Sequence, residues 1–130
     1  MFSHMYATVV LYFRSSQEFE RIIADVPGVD GWERAVSRDG ATISLCASSE
    51  FRVDSLVLTE HLHYLMALTS RNSELLDGFN SASGEIALWI YLENRDVNSS
   101  FSLTRDELEW VNALSASIHV DVWPSAVEVV

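Results

Sequence analysis

Lysine is absent from this sequence, cysteine occurs once, and only two prolines and five glycines are present. Each shortage removes a class of function. With no lysine, eight arginines face nineteen acidic residues, and the formal charge is −11. Such a surface repels phosphate backbones, whose capture depends on cations that neutralise phosphates and release counterions, so no nucleic-acid partner is expected. A single cysteine, Cys46, cannot close an internal disulfide, and its setting offers no zinc-ligand spacing. The few glycines form no phosphate-cradling loop, and no GxSxG or HExxH pattern occurs, so neither cofactor nor resident metal is expected. Apolar runs such as 6–13 and 86–92 have strand length, well short of the roughly 18 residues that span a bilayer. The first six residues also lack the basic start and the apolar run of about 7 to 15 residues of a secretory signal. These features predict a cytoplasmic protein with no membrane partner.

Hydrophobic residues make up 48% of the chain and charged residues 21%, a balance that supports a packed core and excludes disorder. At 130 residues the chain has the size of one compact domain, so residues 1–130 are read as a single unit.

Residues 6–14 (YATVVLYFR) are rich in β-branched and aromatic side chains and read as a central strand. Ser15 and Ser16 offer N-cap oxygens, and Phe19, Ile22, Ile23 and Val26 recur at helical spacing before Pro27-Gly28. Residues 28–40 read as an irregular polar connection holding an isolated Trp32 and an Asp39-Gly40 turn. Alternation over 41–47 predicts a half-buried strand. Asp54 is the expected cap of a helix over 55–69, and a second short helical turn follows Asn72. The segment 85–93 (EIALWIYLE) is the clearest strand. Thr104-Arg105-Asp106-Glu107 has the form of a capping box, starting a helix whose apolar face would hold Leu108 and Val111, joined by Trp110 and Leu114. Residues 117–123 alternate as a last strand, which Pro124 stops.

Two β-α-β halves, 6–47 and 85–123, are thus joined by a helical segment. If each half is split by an inserted strand, the result is an α+β, ferredoxin-like, four-stranded antiparallel sheet with an extra helix between the second and third strands.

The closing segment FSLTRDELEWVNALSASIHVDVW, 101–123, resembles that of a bacterial family of uncharacterised domains, domain-of-unknown-function family 4279. Leu103, Thr104, Glu107, Leu108, Ala116, Ile118, Asp121 and Trp123 carry the resemblance. The chain departs from it in the loop after the first helix and in lacking a tryptophan at the second strand. The resemblance implies a small cytoplasmic bacterial protein, some of whose relatives accompany toxins as immunity proteins, and it supplies no catalytic residues.

His61 and His63 look like a metal pair, but two residues apart on a helix means about 200° of rotation, so they point to different faces. The period of two over the strands yields a more informative constellation. If Val9, Leu11 and Phe13 and their counterparts face the helices, the opposite sheet face carries Tyr12, Trp89, Tyr91, His119, Asp121 and Trp123. Aromatic residues in that number mark a partner- or ligand-binding surface, unless the helix over 55–69 or the tail over 126–130 folds across them as a second core. His119 and Asp121 have the residue types of a base and its orienter, yet no nucleophile accompanies them. A hydrogen-bonded structural pair, with Asp121→Ala costing about 1–3 kcal/mol, is the plainer expectation. The leading functional expectation is a non-enzymatic, immunity-type binding protein that masks a basic toxin or effector surface. The alternatives are a small-molecule-binding or enzymatic site on the aromatic face, and a homodimer through that face.

Overall fold

The computed structural model describes residues 2–25, 31–40, 42–81, 84–94 and 100–124. Among them the chain forms β1 (Phe2–Phe13), α1 (Ser16–Asp25), β2 (Glu33–Val36), β3 (Ile43–Ser48), α2 (Leu58–Arg71), α3 (Ser73–Ser81), β4 (Glu85–Asn94), α4 (Arg105–Leu114) and β5 (Ser117–Pro124). The strands form one five-stranded sheet in the order β2-β3-β1-β4-β5. Three neighbouring pairs are antiparallel, and β4 pairs parallel with β5.

This corrects the expected four-stranded antiparallel ferredoxin-like sheet. The reversal originates in the 28–40 connection, where Glu33–Val36 pairs with β3 in a hairpin. All four β2 residues are exposed, so no alternation of burial betrays the strand in sequence. The expected Asp39-Gly40 turn is present, with Gly40 at φ +72° and its N–H donating to the Ser37 carbonyl. The added hairpin sends β3 back antiparallel beside β1, whereas a split β-α-β half would keep the two parallel and apart. In the second half no strand enters between β4 and β5, and α4 provides the crossover that adjacent parallel strands need.

The local start signals act largely as expected. Ser15 Oγ accepts from the Glu18 N–H at 3.2 Å, which caps α1. At α4 the Thr104 N–H donates to Glu107 Oε1 at 2.9 Å, and the Glu107 N–H donates to Thr104 Oγ1 at 3.2 Å, a complete capping box. Asp54 does not cap α2, which starts at Leu58 behind an extended Val57. The α4 face is rotated from expectation, with Glu107 buried beside Val111 and Leu114 while Leu108 is exposed. Val26 and Pro27-Gly28 lie outside the described residues.

All four helices contribute to a single core on one face of the sheet. Leu62, Leu65 and Leu68 of α2 share this core with Val9, Leu11, Leu88 and Ile90, and Phe13 packs edge-on against Phe19 and Phe79. Trp32, isolated in sequence, belongs to this core. Gly84 lets β4 start tightly against β1, since a Cβ there would come within 2.7 Å of the Tyr12 carbonyl oxygen. Because α2 packs on the core side, it does not cover the opposite face. The tail over 126–130 lies outside the described residues.

Candidate interaction face

Strand register decides which side chains share the uncovered face. Thr8 of β1 lies opposite Trp89 of β4, which lies beside His119 of β5; one step along, Tyr6, Tyr91 and Asp121 form the next row, and His4, Glu93 and Trp123 the row after. The six residues singled out in the sequence therefore lie on one face. His4 and Tyr6 join them: His4 precedes the strand expected over 6–14, whereas β1 begins at Phe2, and Tyr6 lies within that strand but is not among the six. Extending the period of two backwards from Thr8 would have found both.

The rings form two neighbouring groups, His4, Tyr6, Tyr91 and Trp123 in one and Trp89 and His119 in the other. Tyr6 and Tyr91 stack with centroids 4.8 Å apart, Trp89 and His119 stack at 4.3 Å, and Tyr91 lies 6.4 Å from Trp123. The Trp89 indole N–H donates to the Tyr12 hydroxyl at 3.1 Å, anchoring the ring along β1. Over β3 the face turns to small polar groups, with Thr8 Oγ1 donating to Ser48 Oγ at 3.0 Å. Cys46 lies here, its thiol pKa pushed up by burial and by Glu33 against an opposing hydrogen bond from Ser44.

Carboxylates edge the aromatic layer. Glu50 lies 3.7 Å from His4, and Asp121 is exposed in the Tyr6–Tyr91 row. Burial is the largest cause raising the Tyr6 pKa, followed by the charges of Glu50, Tyr91 and Asp121. Asp121 has no side-chain hydrogen bond among the described residues, and the Ser117 hydroxyl, 2.9 Å from His119 Nε2, takes the place foreseen for it. The expected His119–Asp121 hydrogen-bonded pair is therefore not made. The two residues lie on successive rows of one strand, each aligned with a different β4 neighbour.

The depression between Tyr6, Trp89, Tyr91 and Asp121 is about 260 Å³. That is below the roughly 300–1,000 Å³ of small-molecule sites, so the face is a platform more than a pocket. A concavity of about 440 Å³ lies beyond β3, between Trp32, Glu33, Cys46, Glu50 and Arg52.

The remaining histidines divide as helix geometry requires. His61 is fully buried; its Nε2–H donates to the Ser55 carbonyl at 2.8 Å, which leaves Nδ1 to accept from Ser49 Oγ at 2.7 Å. Ser49 Oγ in turn accepts from the Ala7 N–H at 2.9 Å, so this relay pins the segment before α2 to β1. His63 is exposed and lies 4.0 Å from the buried Glu107 Oε2. Among the described residues no group of three His, Cys, Asp or Glu side chains is placed to hold a metal ion, and no helix is long and apolar enough to cross a membrane.

Among the described residues, fold and face together define a two-layer α+β domain with an aromatic and acidic sheet surface that no helix covers. No family model, curated protein or solved structure matches the chain.

Proposed function

We propose that this chain is a non-enzymatic, cytoplasmic binding protein of the immunity type, which covers a basic toxin or effector surface with its open sheet face. The observation that carries the reading is an aromatic layer edged by carboxylates, with Arg52 lying beside Glu50 in the concavity beyond β3. The described residues of β1, β3, β4 and β5 place no arginine on this face, and the chain has no lysine. Stacked aromatics supply the desolvated centre that interfaces rely on, and the surrounding negative charge steers a positive partner. The resemblance of 101–123 to the family containing immunity proteins agrees with this reading. A small-molecule site has less support from so shallow a depression, and His119 is engaged by Trp89 and Ser117 instead of being oriented by Asp121.

The test compares the protein with a Trp89→Ala/Trp123→Ala variant, both immobilised and offered the product of the adjacent gene and host lysate at low salt. The expected result is retention of a basic protein by the wild type, released by salt and lost from the variant. Equal retention by both forms, or retention of acidic proteins only, would count against the proposal.

A further inference from the structure

At the far edge of the sheet, β5 presents eight residues whose outer side pairs with no other strand among the described residues. Exposed edges invite pairing with another chain, and proteins usually blunt them with lysine, a mid-strand proline, a bulge or shortness. The opposite edge, β2, is four residues long and carries Glu33 and Arg34. β5 has no lysine, its Pro124 is terminal and its pairing with β4 runs without a register shift; its one carboxylate, Asp121, lies in the aromatic row. Its helix-side row of Ile118, Val120 and Val122 is also left 39%, 39% and 59% exposed, beyond the reach of α4.

We propose that two copies of this chain pair antiparallel, edge to edge, through β5, with the twofold axis passing through Val120. The strand's own sequence selects that register. Continuity of both sheet faces requires each residue to meet one of the same parity, so the axis falls on a residue, not between two. Centred on Val120, Ile118 meets the partner's Val122, Val120 meets itself, and His119 meets the partner's Asp121 twice over. Centred on Asp121, the two Asp121 carboxylates would oppose each other, a destabilising like-charge pair. Centred on His119, Val122 would pass beyond the end of the partner's strand. The Val120 register thus gives Asp121, which has no side-chain hydrogen bond among the described residues of the single chain, an imidazole across the interface.

The contact is isologous and closes on itself, producing a ten-stranded sheet with both aromatic layers on one side. It differs from a homodimer through the aromatic face, which would bury those layers, and it does not depend on the proposed basic partner. With −11 on each copy, mutual repulsion opposes association, so added salt should strengthen the dimer, the reverse of its effect on capture of a basic protein.

Sedimentation velocity over a range of protein and salt concentrations tests the proposal, together with cysteine variants made in a Cys46→Ser background. The expected result is a monomer–dimer equilibrium that tightens with salt and is weakened about tenfold or more by Val120→Lys, which sets two cations face to face. Oxidation of a mixture of His119→Cys and Asp121→Cys chains should give a cross-linked heterodimer in excess of either homodimer. Circular dichroism confirms that each variant is folded. A monomer under all conditions would overturn the proposal. So would a dimer unaffected by Val120→Lys but lost in Trp89→Ala, or cross-links with no preference for the mixed pair.

Discussion

Trp89 stacks on His119 across the parallel β4–β5 pair, ring centroids 4.3 Å apart and planes 18° from parallel, while its indole N–H reaches the Tyr12 hydroxyl on β1. One side chain thus ties three strands together on the face that the helices leave uncovered. Its stacked ring is held in place before any partner arrives, which lowers the ordering cost of association.

Trp89→Ala should cost about 1–3 kcal/mol of stability, the combined scale of one hydrogen bond and one aromatic pair. Trp123 is more exposed and only flanks Tyr91, so Trp123→Ala should stay within about 0.5 kcal/mol of wild type. Urea denaturation of both variants measures the difference. Equal losses would show that Trp89 does not anchor the layer.

Tyr6 provides a pH signature. Its folded pKa lies above the ordinary 10.0, first because of burial and then because Glu50, Tyr91 and Asp121 disfavour the phenolate. Above about pH 10 the unfolded chain releases this proton while the folded chain still holds it, so the folded state binds more protons and stability falls with rising pH; below that range Tyr6 contributes no slope. Phenolate absorbance, corrected with a Tyr6→Phe variant, follows the group directly. Glu50→Gln should lower the Tyr6 pKa more than Asp121→Asn does, and the reverse order would contradict the arrangement of charges around the ring.

The Ser49–His61 relay can be broken at one atom. Ser49→Ala removes the acceptor of the Ala7 N–H and the donor to His61 Nδ1, stranding two buried groups. The expected loss is about 1–3 kcal/mol by chemical denaturation, with the far-ultraviolet spectrum unchanged. A loss below about 0.5 kcal/mol would mean that these groups find other partners.

What the sequence disclosed follows from how far each signal travels along the chain. β1 and β4 are legible because their β-branched and aromatic residues alternate between core and face, which brings Tyr12, Trp89 and Tyr91 onto one surface, and the same period of two over β5 adds His119, Asp121 and Trp123. The capping box at Thr104 is legible because both of its bonds close within four residues. β2 is illegible because four exposed residues carry no periodicity of burial, and missing it reverses the direction assigned to β3. The role of His61 depends on Ser49, twelve residues earlier, and on a hydrogen bond from Ala7, a link that local spacing does not encode. Leu108 and Glu107 exchange the expected sides of α4 because the capping geometry draws the Glu107 side chain inward.

Asp121 separates a structural role from an interfacial one. Reading the strand alone makes it half of a hydrogen-bonded pair with His119, whose loss would cost about 1–3 kcal/mol. In the folded chain it is exposed and makes no side-chain hydrogen bond among the described residues, and its charge acts on Tyr6 across the same row. Asp121→Ala should therefore change the unfolding free energy of the dilute monomer by no more than about 0.5 kcal/mol. Capture of a basic partner should weaken, mainly through a slower association rate with a shallower salt dependence, because one steering charge has been removed from the face. Stopped-flow association at several salt concentrations, beside urea denaturation of the same preparation, reads both quantities. A stability loss above about 1 kcal/mol with unchanged association would return Asp121 to a structural role.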